Sequence, residues 1–411
     1  MTMAHAAAEP YRRALAMVGD SEIRVDGICH PRFTAVADAF ADNFTTHNEA
    51  GASVSVVHDG RVVVDLWGGI ADPATGRAWA PDTVVVVFSA TKGATALCLH
   101  LLAARGQLDL DAPIADVWPD FAAHGKGRAT ARMILDHSIG LPVIRARLKV
   151  DCLTDPDYMV AHLADETPFW EPGTRTGYHP LTMGFLAGEL IRRVDGRGLG
   201  EFFADEIAGP LGLDFWIGLP EAREPRVAPV IVHRPVRDVP PSPFLMAARE
   251  AGSIQNLFVF NHGDWSARGV NTRAGRAAVI GAASGVTNAR GLAGMYAALL
   301  APAGDPLGIG AGRIARFADP MGATQMDATL LQPTCFGPGF MLRMDNRGRP
   351  GNPDSLIVGR AAFGHVGAGG SVGFADPDRG LAFGYAMTRM GPGLLLNPRG
   401  QSLVDAAYRC L

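Results

Sequence analysis

Cysteine is scarce in this 411-residue sequence and never clustered. The five cysteines (Cys29, Cys98, Cys152, Cys335 and Cys410) are odd in number, widely spaced and include no C-x-x-C. That argues against a disulfide framework or a zinc site and for reduced thiols in a cytoplasmic protein. Charge is sparse too, at 19% of residues with a net of −4, so no basic face is implied and nucleic acid is not an expected partner. No apolar run approaches the roughly 18 residues of a spanning helix. The opening MTMAHAAAEPYRRALAM has no basic start followed by a long apolar stretch, so neither a signal peptide nor a membrane partner is expected. There is no HExxH, the histidines show no ligand spacing, and no Walker or Rossmann glycine pattern opens a helix after a strand. No metal or cofactor is expected.

Hydrophobic residues, by contrast, make up 48% of the chain, enough for a large core. Residues 31–47 space Phe33, Val36, Ala37, Phe40 and Phe44 as a helix does. In 52–67 two β-branched runs flank Asp59-Gly60, a hairpin signal. The run VVVVF at 84–88 reads as a short buried strand, and a helix follows from Ala90 to Arg105 with Gly106 as its cap. Further helices are expected near 157–165, 181–194, 199–208, 288–300 and 400–410. Strands are expected at 337–345, 370–376 and 381–389. Between them, 219–284 is rich in proline and irregular, and so long a stretch of that kind is often functional. Its aromatics Phe244, Phe258, Phe260 and Trp265 suit a pocket or an interface.

This order implies an α+β fold: an antiparallel sheet built from both chain ends and flanked by helices, plus an inserted, mostly helical lobe. The expected division is residues 1–95 with 286–411 as the sheet domain, and 96–285 as the helical domain.

Three segments could carry chemistry. Ser89-Ala90-Thr91-Lys92 is an S-x-x-K where a strand becomes a helix. A serine on a first helical turn has free N–H groups and the positive helix end beside it. Lys92 lies three residues on, on the same face. A four-letter match recurs by chance in a long chain, and an N-cap serine with a solvated lysine is its ordinary reading. The following helix (ALCLHLLAA) is apolar throughout, however, which predicts a buried lysine needing a partner or a lowered pKa. The second segment, WEPGTRTGYH at 170–179, leads through two glycines to Tyr178; alone, it also fits a surface turn tyrosine. The third, FGHVGAGG at 363–370, reads either as a strand whose backbone lines a channel or as a loosened strand end. Gly369-Gly370-Ser371-Val372-Gly373 fits a G-x-S-x-G nucleophile elbow, but it continues into a hairpin of strands where the elbow needs a strand-to-helix turn, so Ser371 is not expected to be the nucleophile.

Taken in order, VFSATKG at 87–93, ILDHSIGLP at 134–142, WEPGTRTGYH at 170–179, EIAGPLGLDFWIGLP at 206–220 and FGHVGAGGSVGFADP at 363–377 resemble the serine β-lactamase and penicillin-binding protein superfamily. Within it they are similar to the class C β-lactamase-like esterases, the family VIII carboxylesterases. The resemblance implies that Ser89 is acylated, Lys92 is the lysine of S-x-x-K and Tyr178 is the tyrosine of Y-x-N and the presumed base. It places His365-Val366-Gly367 at the K-T-G position, with His179 beside them in the substrate-binding set. It makes the N–H groups of Ser89 and Ala368 the oxyanion hole. Two departures, Pro180 in place of asparagine and His365 in place of lysine, weaken a lactamase reading and favour plain esters.

The proton chemistry is tight. A tyrosine phenolate at neutral pH needs help worth about 3–4 kcal/mol. One ammonium about 4 Å away supplies on the order of 4 kcal/mol at an effective dielectric near 20, before desolvation. His365, neutral above about pH 7, adds little. The expected function is hydrolysis of small carboxylic esters by a monomer or homodimer. A β-lactamase, an amidase or D-peptidase, or an acyltransferase using the same acyl-serine is the alternative; a non-catalytic binding protein on this fold is a third reading.

Overall fold

The computed structural model describes residues 8–18, 21–233, 241–262, 269–349 and 354–411. Among them the strands run β1 (Glu9–Val18), β2 (Ser21–Cys29), β3 (Gly51–His58), β4 (Arg61–Asp72), β5 (Arg77–Ala78), β6 (Val85–Val86), β7 (Phe215–Ile217), β8 (Gly285–Thr287), β9 (Gly322–Thr324), β10 (Thr334–Phe336), β11 (Met341–Leu342), β12 (Phe363–Val366), β13 (Val372–Asp376) and β14 (Leu381–Met387).

The Asp59-Gly60 signal produces a two-residue hairpin between β3 and β4, with His58 opposite Arg61. Both turn residues have positive φ, 48° and 73°, as a type I′ turn requires. On the other side of β3 lies β14, antiparallel, from Leu381 opposite His58 to Met387 opposite Ala52. That pairing joins the two ends of the chain. The large sheet runs β1-β2-β4-β3-β14-β13-β12-β11-β10-β9, with β5 on β4, and every pairing is antiparallel. Helices Thr34–Thr46 and Pro398–Arg409 pack together over one apolar cluster. Helix Ala289–Ala297 lies against β3, β13 and β14. Its approach is close enough that a Cβ on Gly384 would sit 2.2 Å from the Ala289 carbonyl oxygen.

Helix Thr91–Ala104 is enclosed: every residue from Thr91 to Leu102 is buried. It packs against helices Thr182–Asp195 and Leu199–Phe203, as its lack of a polar face requires. A small second sheet, β6-β8-β7, holds the strand that leads into this helix. No helix among the described residues is long and apolar enough to cross a membrane.

Several expectations change. β1 and β2 form a long N-terminal hairpin that the sequence pattern did not reveal. The strand expected at 337–345 shrinks to Met341–Leu342, because Gly337 N–H closes a tight turn onto the Phe340 carbonyl. The segment 219–284 is less irregular than its prolines suggested. It contains helices Pro243–Ala247, Ile254–Phe260 and Arg273–Ala277, each capped by a hydroxyl, from Ser242, Ser253 and Thr272 respectively. Turns this short give no readable periodicity. Phe244 is buried against Phe258, whereas Phe260 is exposed. Pro235, Pro240 and Trp265 lie outside the described residues.

Candidate active site

The site begins where β6 ends. Val85 and Val86 pair with Thr287 and Val286, and the Val87 N–H donates to the Gly285 carbonyl at 2.9 Å. The chain then turns sharply, with Phe88 in the left-handed region at φ 46°, a costly conformation for a bulky residue. Thr91 fastens the turn: its hydroxyl donates to the Phe88 carbonyl (2.5 Å) and accepts from the Gly285 N–H (2.8 Å). Ser89 emerges half-buried on the resulting turn of 3-10 helix.

Lys92, one turn on, is buried, with 1% of its surface exposed. Its Nζ lies 3.2 Å from Ser89 Oγ and donates to the carbonyls of Pro180 (2.7 Å) and Ala282 (2.9 Å). No ion pair to Lys92 occurs among the described residues, and burial alone holds its pKa well below the usual lysine value. A neutral amine fits this setting. Two N–H bonds go to the two carbonyls, and Nζ keeps its third contact for the Ser89 hydroxyl.

Tyr178 is buried, with its ring centroid 4.7 Å from Lys92 Nζ. Its hydroxyl has no hydrogen-bond partner of ordinary geometry among the described residues. Burial raises its pKa well above the usual value for tyrosine, and the nearby Ser89 hydroxyl offsets this only in part. Burial thus moves the two groups in opposite directions, lowering the pKa of Lys92 and raising that of Tyr178, which favours a neutral pair over a phenolate with an ammonium.

Two residues that carried no assigned role hold Tyr178 in place. Asp327, wholly buried, accepts the Tyr178 N–H on both oxygens at 3.0 Å. It also takes the N–H groups of Thr329 and Leu330 and the Thr334 hydroxyl. His137, at φ 63°, accepts the Gly177 N–H on its carbonyl and the His179 N–H on Nδ1. Its ring packs 4.9 Å from that of Tyr178 and 4.5 Å from that of Phe336. Asp327 leaves a local trace, since Asp-x-Thr favours a turn of this kind, but nothing local ties it to residue 178.

The opposite wall is the end of β12. A Cβ on Gly367 would fall 2.0 Å from the Val87 carbonyl oxygen, so only glycine lets this strand touch the nucleophile turn. Ala368, the next residue after this contact, is half-buried, and its N–H is not spent on another backbone group among the described residues. His365 is buried. Its Nδ1 lies 2.7 Å from the Val366 carbonyl and therefore carries the proton, while Nε2 has no partner among the described residues. Burial lowers its pKa to about 3, so the ring is neutral. It lies 6.1 Å from the Tyr178 ring.

Two members of the expected substrate-binding set lie in the interior. The Val366 side chain is buried in the core beneath the sheet. His179 is fully buried, its Nε2 accepting the Leu141 N–H at 2.9 Å, and burial lowers its pKa to about 3. Both side chains are taken up by packing, as is that of His365. Ser371 is fully buried between β12 and β13, in a strand connection with no helix after it. A small apolar cavity, lined by Val143, Leu153, Met159, Leu181, Leu257 and Phe258, adjoins the segment after Tyr178.

Known proteins are similar to this chain over nearly its whole length. Residues 36–407 match the β-lactamase family. The chain is 36% identical over 388 residues to the esterase/β-lactamase LipL of Mycobacterium tuberculosis, covering 90% of this chain and 84% of LipL. A solved family VIII carboxylesterase superposes with a TM-score of 0.82 at 38% identity, over 94% of this chain and all (100%) of that one. A penicillin-binding protein homologue from Caulobacter crescentus gives 0.80 at 35% identity, over 94% and 100% of the two chains. With its family match spanning residues 36–407, the chain belongs to the β-lactamase family.

Proposed function

We propose that this chain is a carboxylesterase that cleaves small carboxylic esters through an acyl-enzyme on Ser89. The observation that carries this is the convergence of Ser89 Oγ, Lys92 Nζ and the Tyr178 ring beside the end of β12.

Lys92 is the immediate base. As Ser89 Oγ attacks the ester carbonyl, its proton passes to the neutral Nζ. The oxyanion is held by the N–H groups of Ser89 and Ala368. On collapse, Tyr178 gives its proton to the leaving alkoxide and is reprotonated by the Lys92 ammonium. The alcohol departs, the amine is restored and the acyl group stays on Ser89. Water then attacks the acyl carbon, and its proton returns through the same pair to Ser89 Oγ. His137, His179 and Asp327 position Tyr178, and neutral His365 packs beside it. Gly367 contributes backbone clearance.

The β-lactamase alternative draws support from the name of LipL. Against it stand Pro180, which offers no side-chain amide, and His365, which offers no cation. Five free cysteines support a reducing, cytoplasmic setting. The enzyme acts as a monomer or homodimer on a small-molecule substrate. Turnover of p-nitrophenyl acetate and butyrate against nitrocefin tests the assignment, with mass spectrometry of the acylated peptide. Ester turnover with the acyl group on Ser89 is expected; nitrocefin as the better substrate would overturn the esterase reading.

A further inference from the structure

We infer that Asn397 is a positioning residue for the oxyanion pocket, holding the turn that carries the Ala368 N–H. The inference rests on the placement of the oxyanion at Ser89 and Ala368 proposed above.

The turn after β12 is unusual. Gly367 N–H donates to the Ser371 carbonyl (2.7 Å) and Gly370 N–H to the Gly367 carbonyl (2.9 Å). Two consecutive residues, Gly369 and Gly370, have φ of 89° and 115°, conformations that side-chain-bearing residues rarely adopt. A glycine turn of this kind has many alternatives close in energy, so something outside it must select one.

That selection comes through the Gly369 carbonyl. It accepts the Gly391 N–H at 2.9 Å and Asn397 Nδ2 at 2.6 Å. Asn397 is buried, and its amide is wedged between two glycines: a Cβ on Gly370 would lie 2.2 Å from Nδ2, and one on Gly391 2.4 Å from it. The same side chain caps helix Pro398–Arg409, with Oδ1 accepting the N–H groups of Arg399 (3.1 Å) and Gly400 (3.4 Å). One amide therefore ties a helix end to the turn.

The helix end is itself anchored. Arg399 is buried, donating to the Arg389 carbonyl (2.6 Å) and to Glu49 Oε1 (3.2 Å). Glu49 also accepts the Ala50 N–H (2.9 Å) and the Tyr385 hydroxyl, which fixes the pair to β14 and the start of β3. Asn397 cannot swing away without disturbing that buried pair. The Ala368 peptide lies between two fixed points, the Gly367 N–H and the Gly369 carbonyl, and its N–H direction is set by them.

Asn397→Ser separates positioning from capping. Serine is a good N-cap, but its side chain is too short to reach Gly369. The variant should melt close to wild type with KM within about twofold, while kcat for p-nitrophenyl acetate falls about ten- to a hundredfold. Affinity for an alkyl boronic acid, which forms a tetrahedral adduct on serine, should fall by the same factor, because the oxyanion contact belongs to the transition state. Asn397→Asp keeps the shape and the capping oxygen but lacks the Nδ2 donor, and should behave likewise if the serine variant folds poorly. Folded variants that retain wild-type kcat and boronate affinity would overturn the inference, as would a lowered melting temperature with kcat unchanged. A fluorophosphonate that fails to label Ser89 in the wild type would overturn the underlying assignment and this inference with it.

Discussion

Asp327→Ala removes the acceptor for four donors at once: the N–H groups of Tyr178, Thr329 and Leu330, and the Thr334 hydroxyl. All four residues are buried. A buried donor left without a partner costs about 1–3 kcal/mol. Water entering the space of the lost carboxylate recovers part of this, leaving a net destabilisation of roughly 3–5 kcal/mol. That is a large share of the roughly 5–15 kcal/mol that keeps a protein folded. Asp327→Asn is the control. It keeps an oxygen where Oδ1 takes three N–H groups and loses the acceptor that Tyr178 and Thr334 share at Oδ2, at a cost of about 1–2 kcal/mol. Freed from the carboxylate, the Tyr178 backbone shifts, and kcat/KM should fall about a hundredfold in alanine-variant protein kept cool enough to stay folded. Urea unfolding gives the stability and p-nitrophenyl acetate turnover the catalysis. If the alanine variant unfolds within about 1 kcal/mol of wild type, or asparagine does as much damage as alanine, the carboxylate does not hold Tyr178 as described.

Lys92 must be neutral to accept the Ser89 proton, so kcat/KM should rise with pH through its lowered pKa and then level off. A rate still climbing tenfold per unit above about pH 10, the ordinary tyrosine range, would return the role of base to a Tyr178 phenolate. Lys92→Arg keeps a cation that cannot be deprotonated and should lose about 10²–10⁴ in rate; near-wild-type turnover would refute amine catalysis. Gly367→Ala drives a methyl group into the Val87 carbonyl, 2.0 Å away, and should cost about 1–3 kcal/mol and much of kcat, read by thermal melting and steady-state kinetics. Ser89→Ala should abolish acylation and Ser371→Ala should leave it largely intact; a folded but inactive Ser371→Ala would move the nucleophile.

The sheet was legible where local chemistry decides local shape. Asp59-Gly60 forces its turn, and β3 and β4 follow. The apolar helix after Lys92 announced its own burial, because a helix without a polar face has to be enclosed on all sides. The short helices within 219–284 were not legible, since each spans few turns and depends on a single hydroxyl cap. Nor was β1 with β2, whose place depends on the edge that β4 offers.

At the site, residue type and order by themselves singled out Ser89, Lys92 and Tyr178 as candidates and left 363–370 open between a lining strand and a loosened strand end. Only the tertiary structure supplies the surroundings on which the resting place of the proton depends. Lys92 meets carbonyls 88 and 190 residues away in the chain and no carboxylate, and Tyr178 hangs from an aspartate 149 residues further on. Ionisation depends on solvent exclusion and on whatever charges surround a group in space. Those neighbours come from distant parts of the chain, so only the folded molecule can favour a neutral amine over an ammonium.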